Sequence, residues 1–265
     1  SGLRMKILNE LAPGQKLEEV RFLRRYKRFL VDVERQSGEV ITVHNPNTGS
    51  MKSCLSEGCR AVISWKTPAQ LQKSKAKLPA TLELLHSGRG WIGVNTMRTN
   101  GIVRAALEKG ALVLPRRKTF RDAVELISDS ARARLPKSPT HRVVSEPSLR
   151  GQSFRPDFYW EGWLLEVKNV TQISGGYIQF PDAVSVRGAA HMRHLGELSG
   201  QGYGCAVIFV LSRPEGNSFR AADEIDPEFS AALRGARDRG LVAMPVRMSY
   251  GLKGVSFRGS VALES

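Results

Sequence analysis

The chain has 265 residues, 41% of them hydrophobic and 25% charged, enough for one large or two modest domains with real cores. No apolar run approaches the roughly 20 residues that a bilayer-spanning helix needs, so a helical membrane protein is excluded. Net charge is +15 and unevenly placed: residues 1–150 hold 28 Lys/Arg against 13 Asp/Glu, and residues 151–265 hold 12 of each.

A first half this basic argues for an anionic polymer as partner, nucleic acid foremost. A membrane surface is disfavoured, because no basic amphipathic helix with a strong apolar face stands out. Cys54, Cys59 and Cys205 are odd in number and not spaced as paired metal ligands. Free thiols in a reducing compartment are therefore expected.

Residues 1–19 read as a polar lead-in. From Val20 the pattern changes to short strands, with Tyr26–Val33 and Glu39–Val43 forming a hairpin across Gln36-Ser37-Gly38. Arg60–Trp65, Thr81–Leu85 and Trp91–Val94 are further strands. This density of short strands suggests an OB-like barrel within residues 20–110. Arg24, Arg25, Lys27 and Arg28 cluster on it, and with Tyr26, Trp65 and Trp91 they suit a nucleic-acid backbone with bases stacked alongside. The string His44–Met51 is turn-forming, and Asn47, Thr48 and Ser50 could offer donors to a phosphate. A purely structural loop fits the same letters.

Asn100–Lys109 reads as a short helix, and residues 111–140 as a basic linker with helical character over Thr119–Arg134. A second domain is expected over 141–265, beginning with an edge strand at Val143-Val144 that carries Glu146.

Arg155–Asn169, RPDFYWEGWLLEVKN, is the most informative stretch. Phe158-Tyr159-Trp160 and Trp163-Leu164-Leu165 are strand runs around the turn dipeptide Glu161-Gly162. A two-residue turn sets Trp160 opposite Trp163, and counting back sets Asp157 opposite Glu166. Alternation then puts Asp157, Glu166 and Lys168 on one face, with Phe158, Leu165 and Val167 on the other. Two opposed carboxylates at about 4 Å repel by roughly 4 kcal/mol at an effective dielectric near 20. Lys168 or a divalent cation must offset this, and Mg²⁺, with Mn²⁺ as substitute, is the expected cofactor. The chemistry suggested is metal-assisted phosphodiester hydrolysis.

Further on, a helix is expected over Arg187–Ser199, with Leu195 and Leu198 in the core. Its His191 and His194 could suit a metal pair, but nothing nearby completes a site, so an exposed or DNA-facing surface is preferred. Cys205–Leu211 is a buried central strand, Asp226-Pro227 opens a helix, and Leu241–Val246 and Val255–Phe257 are strands. An α/β mixed sheet flanked by helices follows.

Pro156-Asp157, eight residues, then Glu166-Val167-Lys168 resembles the PD-(D/E)xK signature of restriction-endonuclease-like nucleases. Together RYKRFLVDV, HNPNTGSM, GVNT, EVKNVT, FPDAVSVRG and DEIDPEF resemble the sugar fermentation stimulation protein A (SfsA) family, from about Arg24 to Tyr250. The resemblance implies an N-terminal OB-like DNA-binding domain followed by a PD-(D/E)xK nuclease-like domain. By position it implies Asp157, Glu166 and Lys168 as the acidic and lysine motif, Glu146 as a further carboxylate, and Asp182 and Arg187 as motif residues. Where the family often reads Ser-Arg-x-Asp-Phe, this chain has Ser153-Phe154-Arg155-Pro156-Asp157-Phe158, which leaves the role of Arg155 open.

The expected function is thus a Mg²⁺-dependent nuclease, with Asp157 and Glu166 on the metal, Glu146 as a candidate third carboxylate, and Lys168 positioning the attacking water or stabilising the pentavalent phosphate. Arg24, Arg25, Lys27, Arg28, Asn47, Thr48, Ser50, Arg155 and Arg187 would grip the nucleic acid. The rival is a non-catalytic DNA-binding protein on the same scaffold. RNA as substrate stays open, as does a homodimer. A cytoplasmic, nucleoid-associated place is expected in a bacterium, and an organellar one if a presequence has been cropped.

Overall fold

The computed structural model describes residues 7–75, 78–115, 120–137 and 143–264, and all counts below refer to these. A six-stranded barrel comes first: β2 (Leu17–Tyr26), β3 (Leu30–Glu34), β4 (Val40–His44), β5 (Arg60–Trp65), β6 (Ala80–His86) and β7 (Trp91–Gly93). The short β1 (Ile7–Asn9) precedes it, and helix α1 (Pro68–Lys73) bridges β5 and β6. Neighbours run antiparallel in the order β4-β3-β2-β5-β6-β7, and His44 pairs with Thr81 to close the ring. This is the OB-like barrel expected from the spacing of strands and turns. Its interior is filled by Phe22, Val31, Val33, Val43, Ile63, Leu82 and Ile92, all buried.

Helix α2 (Thr99–Glu108) leads out of the barrel, and a short α3 (Asp129–Arg132) follows. Then come β8 (Val143–Ser145), β9 (Phe158–Trp160), β10 (Trp163–Val170), β11 (Gln172–Ser174), β12 (Tyr177–Phe180) and α4 (Val186–Gly200). The chain ends through β13 (Gly204–Leu211), β14 (Ser218–Ala221), α5 (Pro227–Asp238), β15 (Val242–Gly251), β16 (Gly254–Ser260) and β17 (Ala262–Leu263). The main sheet has seven strands in the order β1-β16-β15-β13-β10-β9-β8. β10, β13 and β15 run parallel at its centre, where every residue of β13 is buried.

One face of this sheet (Tyr159, Leu164, Val207, Phe209) packs on α4 and α5 through Met192, Leu195 and Leu233. The other face (Phe158, Leu165, Ile208, Val246) packs on α2 and on barrel residues Val62 and Leu84. No disulfide joins Cys54, Cys59 or Cys205.

Four expectations change. The polar lead-in over 1–19 gives way: Ile7–Asn9 pairs with β16, Leu8 and Leu11 are buried, and β2 already begins at Leu17. The strand expected over Tyr26–Val33 contains a turn, with Lys27 and Arg28 at φ of 46° and 62°. The helix expected over Thr119–Arg134 is broken. Asp122 and Ser128 cap short turns by accepting the N–H groups of Val124 and Ala131, and Ile127 pairs with Leu149 in an isolated bridge. Asp and Ser offer the backbone local partners that compete with helix propagation. Finally, a second sheet, β11-β12-β14-β17, has strands too short for periodicity to reveal. The basic run Arg116–Lys118 lies outside the described residues.

Candidate active site

The β9–β10 hairpin has the register obtained by counting. Trp160 pairs with Trp163, Tyr159 with Leu164 and Phe158 with Leu165. Glu161 and Gly162 sit at φ of 42° and 94°, the left-handed pair that a two-residue hairpin turn of matching twist requires. The regular ladder ends at Phe158. Asp157 lies just beyond it, where its Oδ2 accepts the Val167 N–H at 2.7 Å and its Oδ1 accepts from Asn100 Nδ2 at 2.9 Å.

Glu166 is 3% exposed, and its Oε1 accepts from Lys168 Nζ at 2.5 Å and from His191 Nδ1 at 2.6 Å. Arg187 Nε donates to His191 Nε2 at 3.3 Å, which assigns the proton facing Glu166 to Nδ1. The opposed carboxylates are thus balanced on one side only. Burial pushes the Asp157 carboxyl up, the Glu166 charge adds to this, and the Val167 and Asn100 donors oppose it. Burial acts the same way on Glu166, but the His191 hydrogen bond and the Lys168 charge outweigh it and hold its carboxyl below the usual value.

Glu146, Arg155, Asp157, Glu166, Lys168, Arg187 and His191 line one cleft of about 360 Å³. Glu146 sits at its rim at φ 46°, its N–H donating to the Asp157 carbonyl at 2.9 Å. His191, expected on an exposed or DNA-facing surface, is largely covered in the cleft and bonds Glu166, while His194 stacks on Phe154 at 5.4 Å. The position of His191 one turn beyond Arg187 on the same helix was the available signal; which strand the helix covers is a tertiary fact.

A hard cation fits this donor set. Glu166 Oε2 is buried and has no hydrogen-bond partner, and each Asp157 oxygen accepts only one hydrogen bond from the described residues. Mg²⁺ is commonly held by one or two carboxylates plus water. No three His, Cys, Asp or Glu among the described residues already stand in ligating geometry, so Glu146 would join only by moving inward or through water.

The barrel residues divide. Arg24 pairs with Asp32 at 2.8 Å and lies 5.1 Å from the Tyr26 ring centre, while Lys27 and Arg28 are exposed at the hairpin tip. Arg25 is spent inside the fold, donating to the carbonyls of Arg28, Ser50, Asn47 and Gly49. Asn47 is buried, donating to the Val94 carbonyl and accepting from Gly49 N–H. Ser50 Oγ accepts from Lys52 N–H, and Thr48 is exposed. The structural reading of the 44–51 loop therefore accounts for Arg25 and Asn47.

That loop also joins the two domains. Met51 N–H donates to Asp182 Oδ2 at 3.1 Å, and Asn169 Nδ2 donates to the Gly93 carbonyl at 3.3 Å. Asp226 holds the Asp182 segment, accepting from Ser185 N–H at 2.7 Å while capping α5. A Cβ on Gly49 would sit 2.3 Å from Asp182 Oδ2. Gly49→Ala is therefore expected to lift the loop and to cost about 1–3 kcal/mol, read as a lower urea midpoint.

A barrel of OB type joined to a mixed sheet that carries Asp157, Glu166 and Lys168 on its hairpin defines a two-domain protein with a restriction-endonuclease-like second half. Residues 99–254 match the sugar fermentation stimulation protein RE domain, and residues 23–94 match the SfsA N-terminal OB domain. The chain belongs to the SfsA family. A homologue from Geotalea uraniireducens is 34% identical over 91% of this chain and 94% of its own length. One from Pseudomonas aeruginosa is 38% identical over 86% and 88%. The structure of Pyrococcus furiosus SfsA in complex with Ca²⁺ shares the fold at a TM-score of 0.76 and 22% identity, covering 98% of this chain and all of that one. No helix among the described residues is long and apolar enough to cross a membrane.

Proposed function

We propose that this protein is a metal-dependent nuclease that hydrolyses phosphodiester bonds of DNA. The observation that carries this reading is the buried, unpartnered Glu166 Oε2 in one cleft with Asp157 and Lys168. A pure binder has no use for opposed carboxylates facing a polyanion. The residues that would hold Mg²⁺, or Mn²⁺ in its place, are Asp157 and Glu166, with Glu146 at the rim; when bound, the cation supplies a Lewis acid and an acidified water. That the Pyrococcus furiosus SfsA structure is a complex with Ca²⁺, a hard cation, is in keeping with this reading.

Lys168 has two tasks. At rest its ammonium offsets the Glu166 charge, while His191 donates Nδ1–H to the same carboxylate oxygen. In the reaction it orients the attacking water or offsets charge on the phosphate, while His191 keeps Glu166 in place through Nδ1–H. Arg155 and Arg187, at the wall of the same cleft, hold the flanking phosphate.

The test is labelled DNA and RNA, single- and double-stranded, with Mg²⁺, Mn²⁺ or EDTA, beside Glu166→Ala and Lys168→Ala. Metal-dependent cleavage lost in both variants establishes the nuclease and its substrate. Salt-sensitive binding without cleavage under any metal establishes the second reading, a DNA-binding protein on a nuclease scaffold. One feature favours that second reading: Lys168 and His191 both bond Glu166 Oε1, so the protein's own side chains already satisfy that oxygen.

Binding itself is expected to follow the barrel's exposed charge. Lys27→Ala with Arg28→Ala should weaken DNA binding and lower the slope of log affinity against log salt by about 1–2, measured by anisotropy titrations in EDTA.

A further inference from the structure

A second cavity, of about 270 Å³, adjoins the carboxylate cleft and shares Val167 and Lys168 with it. Its walls come from both domains: Thr48 and Thr96 from the barrel side, Asn100 from α2, and Asn169, Gln172 and Phe180 from the second domain. The two compartments differ in chemistry. The carboxylate cleft is lined by Arg155, Arg187, Lys168 and three acidic side chains, a setting for phosphate and cation. The second cavity carries amides, hydroxyls and one aromatic ring, and its charged groups are Lys168 at the shared edge and Asp182. The Asp182 carboxylate already accepts from the Met51 N–H.

Neutral amides present a donor and an acceptor side by side, the pattern that a nucleobase edge offers in return, and an aromatic ring offers a stacking face. Thr48 and Asn100 leave side-chain oxygens without a partner from the described residues on this wall. Gln179, fully buried beneath the floor, likewise has no partner for its Oε1. The volume, about 270 Å³, has room for one base with its sugar.

We propose that this cavity receives one unpaired nucleobase adjacent to the scissile phosphate, so that the substrate is a single strand, or is frayed or flipped at that point. The proposal rests on the nuclease reading for the place of the phosphate. A duplex would have to unstack to enter, as it does for enzymes that work on extruded bases.

The test is equilibrium binding in EDTA, by anisotropy, of short labelled oligothymidylate, oligouridylate, an abasic strand of equal length and a blunt duplex. The expected result is at least about ten-fold tighter binding of the base-bearing strand than of the abasic one, in line with the worth of one stacked base. Stacking on the barrel could give the same preference, so two variants locate it. Ala183→Trp would block the cavity from its exposed rim, and Gln172→Ala would remove a partly exposed amide from its wall. Each should reduce the preference toward one while leaving abasic binding unchanged. A preference carried by oligouridylate assigns the strand as RNA and supports the site equally. Equal binding of abasic and base-bearing strands, tighter binding of the duplex, or a preference unchanged in both variants overturns the proposal. Without metal present, failure of cleavage and failure of base recognition are read separately.

Discussion

Glu166→Gln should reduce the proposed metal-dependent cleavage by at least about 10³-fold, because a cation held by Asp157 and Glu166 would lose one carboxylate and with it several kcal/mol of transition-state stabilisation. The same variant should bind DNA in EDTA as well as the parent chain, or better. It removes a negative charge from the cleft and frees Lys168, which now spends its ammonium on Glu166 at 2.5 Å. Opposite signs in two assays make this sharper than an alanine scan. A variant that lost both activities would point to misfolding, and one that cleaved normally would remove Glu166 from the chemistry. The glutamine keeps the shape and can still meet His191 at the position now occupied by Glu166 Oε1.

The largest loss of stability is expected outside the carboxylate cleft, at Arg98→Ala. Glu83 on β6 is completely buried, and its carboxylate accepts from Arg98 Nη2 at 2.7 Å, Ser64 Oγ at 2.7 Å and Asn95 Nδ2 at 2.9 Å. Arg98 Nη2 also reaches Gln15 Oε1 at 3.0 Å, so one guanidinium ties the barrel wall to the segment before β2. Deleting it leaves a carboxylate in the barrel without its counter-charge. Removing one partner of a buried pair costs about 3–5 kcal/mol, whereas replacing both with apolar residues of similar volume is far milder. Arg98→Ala should therefore shift the urea midpoint strongly, and Glu83→Leu with Arg98→Met should recover much of the loss. A midpoint that stays put in Arg98→Ala would mean that Ser64 and Asn95 suffice.

Much of this was legible because it depends on neighbours in sequence. The hairpin register follows from Glu161-Gly162 and the alternation around it, and it places Asp157 beside Glu166 without tertiary knowledge. The strand β13 follows from an unbroken apolar run, and the α5 start from Asp226-Pro227. What stayed hidden depends on partners far along the chain. His191 reaches Glu166 across 25 residues, and Asp182 meets Met51 across 131. Arg25 and Asn47 show the opposite failure. Their chemistry suits a phosphate, but Arg25 donates to carbonyls of the 44–51 loop and Asn47 to the Val94 carbonyl, and burial decides between them.

The barrel is not a bead ahead of the second domain, because β1 is spliced into the far edge of the main sheet beside β16. Topologically the barrel is an insertion after the first strand of the domain it serves. On the ribosome that first strand must therefore wait for almost the last one, while the barrel between them completes itself. A fragment that begins at α2 would carry the hairpin, the carboxylates and the lysine, yet expose the β16 edge that Ile7–Asn9 covers. Open sheet edges recruit other chains, so such a fragment should aggregate, and adding residues 7–16 in trans or by fusion should keep it dispersed. Order of synthesis and order of assembly are here reversed, and dissecting the activity domain by domain has to respect that.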